Sequence, residues 1–230
     1  MEISSNDKPR YPLLDQIRGF AVLLMIIFHF SYDLAVFGHV NIQFQKDPFW
    51  WGFPRLIVFL FMIAVGMSLR LVHVPNYRWK PFFKRWLKLV VFALIISIST
   101  YFAFPDRWIY FGTLHSIAVC SLMAIPFVRY PKISGLLALI FLVPVVFFKW
   151  SLPWIELPHK SMDYIPAFPW VGVVFLGIYL HSVNFHKFLL PDIKPLQGLA
   201  WMGKHSLFIY MLHQPILYGL VMVVTKLLQS

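Results

Sequence analysis

Seven long apolar runs constrain the fold of this chain more than any other feature of its sequence. They occupy residues 16–38, 49–70, 87–104, 108–128, 133–148, 164–182 and 204–224. A helix needs about 20 largely apolar residues to cross roughly 30 Å of hydrocarbon, and a helix satisfies its own backbone there. The runs predict an all-α, polytopic membrane helix bundle of about seven transmembrane helices. The fifth run is the shortest and contains Pro144, so it is expected to be tilted, kinked or incompletely spanning.

The composition argues against a soluble fold. Of the 230 residues, 60% are hydrophobic and 13% are Asp, Glu, Lys or Arg, against roughly 45–50% and about 25% in soluble domains. Nine Trp and ten Tyr suit a protein with two membrane interfaces to anchor. The polar segment 1–10 and the charges inside the first run do not resemble a cleavable secretory signal. We expect a single integral membrane domain over residues 1–230, located in a bacterial plasma (inner) membrane.

The formal charge of +11 raises the question of a nucleic-acid partner, since basic proteins often bind phosphates. The distribution argues against one, because the Lys and Arg residues lie between the apolar runs rather than in a basic arm. Thirteen of them flank the runs on the side that holds the N-terminus, Lys8 and Arg10 included, and five flank the other side. This imbalance predicts a cytoplasmic N-terminus and, with seven spans, a C-terminus outside.

The segment 78–88, RWKPFFKRWLK, combines basic and aromatic side chains on the predicted cytoplasmic face. Such a mixture is typical of an anchor to anionic membrane lipids. The alternative is a docking surface for the phosphates of a cytosolic donor such as coenzyme A. The sequence leaves both interpretations open.

The first apolar run contains four ionisable residues, Asp15, Arg18, His29 and Asp33. At 100° per residue their side chains fall within about 60° of one another, which makes a single polar stripe. A charged group at membrane depth costs at least ~2.5–3.5 kcal/mol, so the stripe should face protein or a cavity. Arg18 lies toward the cytoplasmic end, and His29 lies about 16 Å further along the axis, beyond the midplane.

Two interpretations of this stripe are open. It could be a polar seam that joins helices, and for Asp15 and Arg18, which can pair at i,i+3, that role is as plausible as ligand binding. For His29 a functional role is favoured, because an imidazole exchanges protons near neutral pH. Asp33, at i,i+4, is then expected to hydrogen-bond and orient His29.

Other runs contain polar groups at similar depth. His115 in GTLHSIA, Arg55 in GFPRL and Asp163 lie toward the outer ends of their helices, and His213 lies near mid-membrane with Gln214 close to its face. Each histidine could be a satisfied core residue. Three of them on separate helices nevertheless predict a shared polar cavity formed by His29, His115 and His213.

The remaining histidines carry weaker signals. His39 lies just beyond the first helix and either overhangs a cavity or is solvated. Solvated positions in loops or at interfaces are expected for His73, His159, His181 and His186. No HExxH, paired CxxC, Walker, GxGxxG or GxSxG motif occurs, so no metal site is predicted.

The first helix, RYPLLDQIRGFAVLLMIIFHFSYDL, resembles the opening pattern of the transmembrane acyltransferases, with Asp15 after a Leu, Arg18–Gly19 and then His29. Further segments are similar to the branch that contains the catalytic domain of heparan-α-glucosaminide N-acetyltransferase. These segments are FLFMIAVGMSL, FGTLHSIAV, DYIPAFPWVGVVFLGI and GKHSLFIYMLHQP.

The resemblance implies transfer of an acyl group, typically acetyl, from a cytoplasmic acyl-coenzyme A to a glycan, lipid or amine acceptor at the far face. It implies His29 as base or transient acyl carrier, with further catalytic candidates Asp33, His213, His115 and His39. The candidate donor-binding residues are Arg18, Asp15, Ser68 and Arg85, of which the resemblance itself implies Arg18. The candidate acceptor-binding residues are Arg55, Asp163, Trp170 and Gln214.

Two other functions remain open. A proton-coupled small-molecule transporter could use a chain of His, Asp and Arg side chains, although two related halves with paired broken helices are not evident in the sequence. A non-catalytic membrane partner could have kept the fold. Membrane lipids are the expected partners in each case, and the oligomeric state is open, with a homo-oligomer among the alternatives.

Overall fold

The computed structural model describes residues 11–229, so Lys8 and Arg10 of the charge imbalance lie outside the described residues. Over this range the chain forms helices and no strand, which confirms the all-α membrane bundle. The helices are α1 (Pro12–Val36), α2 (Pro48–His73), α3 (Trp79–Ala103), α4 (Thr113–Ala124), α5 (Pro131–Phe148), α6 (Ala167–Ser182), α7 (Lys194–Lys204) and α8 (Ser206–Gln229). Short 3₁₀ helices occupy Ile125–Phe127 and Phe185–Lys187.

Each predicted apolar run corresponds to one helix, although the helices differ in length. Five of the described helices, α1, α2, α3, α5 and α8, are long and apolar enough to cross a membrane. The fifth run forms α5, which has 18 residues and contains Pro144, while the apolar helices Thr113–Phe127 and Ala167–Ser182 are shorter.

The helices α4 and α6 are short because irregular segments precede them. Residues 104–112 and 149–166 are not helical, and they bond to each other through their backbones. The N–H of Met162 donates to the carbonyl of Arg107 at 3.0 Å, and that of Ile165 donates to Phe111 at 3.0 Å. Non-helical backbone is tolerated at membrane depth only where protein or water satisfies it, and this pairing satisfies part of it.

The centre of the bundle is α2, which packs against α1, α4 and α6. Residues 61–69 of α2 are all buried. By contrast, α3, α5 and α8 leave many large apolar side chains exposed, such as Leu94, Leu139 and Ile216. In a bilayer these side chains face lipid, so the polar groups of α1 and α2 point toward the bundle interior.

The short helix α7 was not predicted from the sequence. It packs along the N-terminal half of α1 at very close range. A Cβ atom added to Gly19 of α1 would lie 1.8 Å from the carbonyl oxygen of Leu199, and one added to Gly203 of α7 would lie 1.8 Å from that of Asp15. Small residues that let backbones approach are typical of helix contacts in membranes. The position of Arg18 on α1 therefore depends on α7.

Candidate active site

The polar stripe of α1 divides into two clusters in the structure. At the N-terminal end, a nitrogen of Arg18 lies 3.1 Å from a carboxylate oxygen of Asp15, as the i,i+3 spacing predicts. Arg18 also donates to the hydroxyl of Ser68 on α2. The Ser68 hydroxyl in turn donates to the carbonyl of Ala64 at 2.5 Å. Arg18 is thus held in one orientation between two helices.

A cavity of about 260 Å³ lies beside Arg18, between α1, α2, α3, α4 and α8. Apolar side chains form most of its wall, with Phe61, Leu89 and Leu114 among them. Its polar lining residues are Arg18, Ser68, His73, Arg85, Trp86, Lys88, Ser121, Ser206 and Tyr210. A largely apolar wall with a few polar groups is typical of a small-molecule site.

The charge of this cavity is positive. Arg18, Arg85 and Lys88 line it, and no Asp or Glu appears among the lining residues that the structure describes. Asp15 compensates only Arg18. The cavity is therefore suited to an anionic ligand or to one with polar acceptor groups.

The second cluster joins α1 to α8. The rings of His29 and His213 lie with their centroids 4.8 Å apart at an angle of 64°. Nδ1 of His213 lies 2.7 Å from the carbonyl oxygen of Tyr210, so Nδ1 carries the proton. Nε2 of His213 then has a free lone pair, and it is buried with no hydrogen-bond partner among the described residues. This nitrogen can accept a proton from a neighbouring group.

Asp33 does not orient His29, so that prediction is wrong. The carboxylate of Asp33 is 1% exposed and accepts a hydrogen bond of 2.9 Å from Gln214 on α8. No hydrogen bond joins it to His29 within residues 11–229, and its second oxygen has no partner there. Gln214, a candidate for binding the acceptor, thus ties α8 to α1 beside the histidine pair.

Tyr210 connects the cavity with the histidine pair. Its side chain lines the cavity, whereas its carbonyl holds His213 one turn further along α8. His29 and His213 are not themselves among the residues that line the cavity. His213 follows Tyr210 by three residues, about 4.5 Å along the axis of α8. The pattern of the last run could have indicated Tyr210, because it shares a helix face with His213.

Aromatic rings surround His29 on its outer side. Phe28 contacts the His29 ring at 5.5 Å between centroids, and it also contacts Phe44 at 5.7 Å and Phe53 at 5.9 Å. Trp50 contacts Phe44 at 5.2 Å. Beyond these rings an open groove is lined by Asn41, Ile42, Gln43, Lys46, Asp47 and Trp50. The pair is thus bounded by the basic cavity on one side and by this aromatic cluster on the other.

His115 belongs to neither cluster. Its Nδ1 accepts from the backbone N–H of Gly112 at 3.2 Å, so its Nε2 donates to the hydroxyl of Ser97 at 3.1 Å. Both ring nitrogens are used to fix the start of α4 against α3. The shared cavity predicted for three histidines is thus not observed, and only His29 and His213 come together.

Two further candidates, His39 and Arg55, have partners away from the histidine pair. Nε2 of His39 lies 2.6 Å from the hydroxyl of Thr225, which joins the loop after α1 to the end of α8. Arg55 is exposed, donates to the carbonyl of Trp51 at 2.5 Å and lies 3.6 Å over the Trp51 ring. Neither side chain contacts His29 or His213 among the described contacts.

Asp163 lies in the segment before α6, and Trp170 lies in α6 itself. Both make contacts that support the fold. The carboxylate of Asp163 accepts from the backbone N–H of Thr113 at 2.8 Å and from its hydroxyl at 3.1 Å, so it caps the N-terminus of α4. Burial raises the pKa of Asp163, and the hydrogen bonds from Thr113 oppose that rise. Asp163 also interacts with Tyr210, which lines the cavity. Trp170 is partly buried and packs against the core.

Comparison with known families decides the membership of the chain. A family model described as "Heparan-alpha-glucosaminide N-acetyltransferase, catalytic" matches residues 10–215 of 230. The chain belongs to this family. The resemblance predicted from the sequence is therefore confirmed, and the heparan-alpha-glucosaminide N-acetyltransferase match covers both Arg18 and the histidine pair. Neither a curated protein nor a solved structure matches the chain significantly.

Proposed function

We propose that the chain transfers an acetyl group from acetyl-coenzyme A, or another acyl group from its thioester, to an amine or hydroxyl acceptor at the His29–His213 pair. The observation that carries this proposal is the contact between the two imidazoles, 4.8 Å between centroids, one of them on the helix whose Tyr210 lines a basic cavity. Membership in a family of membrane N-acetyltransferases supports the reaction type.

The size and charge of the cavity support a thioester donor. Its volume of about 260 Å³ is below the common ligand-pocket range of ~300–1,000 Å³, so it suits the acyl-pantetheine arm alone. Arg85 and Lys88 lie both in the cavity wall and in the basic segment 78–88. We place the nucleotide phosphates of the donor at this segment, on the face proposed to be cytoplasmic.

The histidine pair supplies nucleophile and proton acceptor. In the proposed reaction a nitrogen of neutral His29 attacks the thioester carbonyl, and the carbon–sulfur bond breaks. The proton on the other His29 nitrogen passes to Nε2 of His213, whose lone pair is free, and then to the departing thiolate. The acceptor next attacks the acetyl carbon, and its proton goes to the released His29 nitrogen.

A second route uses the same residues without an acetyl-enzyme. Here the acceptor attacks the thioester directly while His29 removes its proton, and His213 or solvent returns a proton to the thiolate. The two routes differ in one observable. Only the first leaves acetyl on the protein when radiolabelled acetyl-coenzyme A is supplied without acceptor.

Turnover by the purified protein tests the proposal. We expect acetyl-coenzyme A to raise the unfolding temperature of the detergent-solubilised protein, because a ligand that binds the folded state stabilises it. We also expect free thiol to be released when glucosamine, an amino sugar with a free amine, is added. A protein that neither gains stability from coenzyme A thioesters nor releases thiol with amine or hydroxyl acceptors would contradict the assignment.

Arg18→Gln is expected to weaken donor binding. The substitution removes the charge and the fork that bonds both Asp15 and Ser68. Loss of a hydrogen bond to a charged group costs ~1.5–3 kcal/mol, so KM for acetyl-coenzyme A should rise about 10–100-fold, with KM for glucosamine unchanged. Steady-state kinetics with each substrate varied in turn measures this.

Arg107→Gln is the matched control, since it removes the same charge from an exposed loop outside the cavity. Equal donor KM values for wild type and Arg18→Gln would show that the cavity does not bind the donor.

A further inference from the structure

A second group of polar side chains lies where α1, α2, α6 and the 3₁₀ helix Phe185–Lys187 meet. The rings of His181 and His186 stack in parallel, with centroids 3.8 Å apart and an interplanar angle of 4°. Tyr11 contacts the His186 ring edge-on at 4.5 Å. Arg70 and Lys187 lie within electrostatic range of His181. We call Arg70, His181, His186 and Lys187 the junction cluster.

Several nitrogen atoms in the junction cluster are buried without a partner. They are Nε of Arg70, both ring nitrogens of His181 and Nδ1 of His186, none of which has a hydrogen bond among the described residues. His186 is 4% exposed, although it was expected to be solvated. Burial and the nearby Lys187 lower the pKa of His186, so its ring is neutral near pH 7. Buried polar atoms of this kind require a ligand or water.

The junction cluster has cations and no visible counterion. Arg70 donates one guanidinium nitrogen to the carbonyl of Val128, and no Asp or Glu pairs with it in residues 11–229. A guanidinium held in a protein without an anion is costly, particularly near membrane depth. The chemistry of the cluster therefore favours an anion with several acceptor oxygens.

The junction cluster is separate from the donor cavity. The α2 residues that line the cavity, such as Ser68, Leu69 and Val72, centre on one face of the helix. At 100° per residue Arg70 lies on roughly the opposite face, toward α6. Neither His181 nor His186 lines the cavity. A ligand of the junction cluster would thus not be the thioester donor in its proposed place.

Exposed apolar residues beside the junction cluster indicate that it lies next to membrane lipid. Phe185, Phe188 and Leu189 are 45%, 62% and 79% exposed, and they flank Lys187 in the segment that leaves α6. An exposed apolar segment with lysines is typical of a chain that lies at the boundary of acyl chains and headgroups. Lipid phosphates lie at this depth.

We propose that the junction cluster binds the phosphate group of an anionic membrane lipid. The guanidinium of Arg70 and the ammonium of Lys187 bind the phosphate oxygens, and the ring N–H of His181 donates to them. The acyl chains lie against Phe188 and Leu189. The bound lipid holds α6 to the ends of α1 and α2, and this role is independent of acyl transfer.

Thermal unfolding of the delipidated protein in an uncharged detergent tests the proposal. Phosphatidylglycerol at about ten times its Kd should raise the wild-type unfolding temperature by roughly 3–6 °C, whereas diacylglycerol with the same chains should not. Inorganic phosphate distinguishes a lipid headgroup from free phosphate as the ligand. If phosphatidylglycerol raises the unfolding temperature and inorganic phosphate does not, the acyl chains are needed for binding. If inorganic phosphate raises it as well, the phosphate group suffices.

Substitutions test whether the lipid raises the unfolding temperature by binding at the junction cluster. Arg70→Gln removes the cation, and His181→Phe keeps a ring in the stack while it removes both nitrogens, so each should lose the shift. Lys132→Gln is the control, because it removes an equal charge from an exposed position of the same predicted face, outside the junction cluster and outside segment 78–88. If Arg70→Gln does not fold, His181→Phe carries the test. An equal shift in wild type and His181→Phe, or no shift in wild type, would overturn the proposal.

Discussion

His29→Ala is expected to abolish acetyl transfer while the protein stays folded. A positioned acid or base contributes roughly 10²–10⁴-fold to rate, so kcat should fall by at least that factor. The fold should survive, because the His29 ring makes ring contacts with Phe28 and His213 but no hydrogen bond among the described residues. Thiol release with acetyl-coenzyme A and glucosamine measures the rate, and thermal unfolding measures the fold.

His205→Ala is the matched control for this experiment. His205 is exposed at the junction of α7 and α8, and within residues 11–229 its ring is hydrogen-bonded only to the carbonyl of Trp201. It should retain activity. His213→Ala should also lower kcat, and the double variant should lose little more than either single one, because the two residues act as a unit. A His29→Ala protein with the wild-type rate would remove His29 from the mechanism.

Local helical geometry explains which parts of the site the sequence predicts. Asp15 and Arg18 are paired as their spacing requires, because neighbours at i,i+3 share a face whatever packs around them. The predicted hydrogen bond between His29 and Asp33 is not observed, because a residue of another helix bonds to Asp33 instead. Gln214 of α8 reaches the Asp33 carboxylate, and one sequence does not indicate which residue of a partner helix lies opposite.

The histidines also show that one sequence does not indicate which partners a side chain has on other helices. His115 and His213 look alike in the sequence, each a polar residue in an apolar run. The N–H of Gly112 and the hydroxyl of Ser97 occupy both nitrogens of His115, whereas only one nitrogen of His213 is bonded. Such differences arise from the bend before α4 and from the packing of α8 on α1, which apolar periodicity does not encode.

Segments without strong periodicity were the least predictable. The helix α7 has Gly, Pro and Lys within eleven residues and is not apolar enough to resemble a span. Its amphipathic face nevertheless packs on α1. His73 and His186 were expected to be solvated because they lie near helix ends, yet they are 1% and 4% exposed. Close packing of loops against the bundle buried them.

Gly19→Ala is expected to destabilise the protein strongly. The new Cβ atom would lie 1.8 Å from the carbonyl oxygen and 2.6 Å from the carbonyl carbon of Leu199. These are backbone atoms and cannot rotate away, so α1 and α7 must move apart. Overpacking costs ~1–3 kcal/mol or more, which corresponds to a fall of about 2–12 °C in the unfolding temperature.

Gly198→Ala tests whether the close approach causes this fall. Gly198 lies beside Leu199 on α7, but a Cβ atom there would meet nothing within 4 Å. Alanine favours the helix over glycine by about 0.5–1 kcal/mol, so Gly198→Ala should melt at or slightly above the wild-type temperature. Because Arg18 precedes Gly19, the separation of α7 from α1 should also raise the donor KM in Gly19→Ala alone. Equal melting temperatures for the two variants would show that the contact between α1 and α7 is not tight, and that Arg18 is positioned by Asp15 and Ser68 without support from α7.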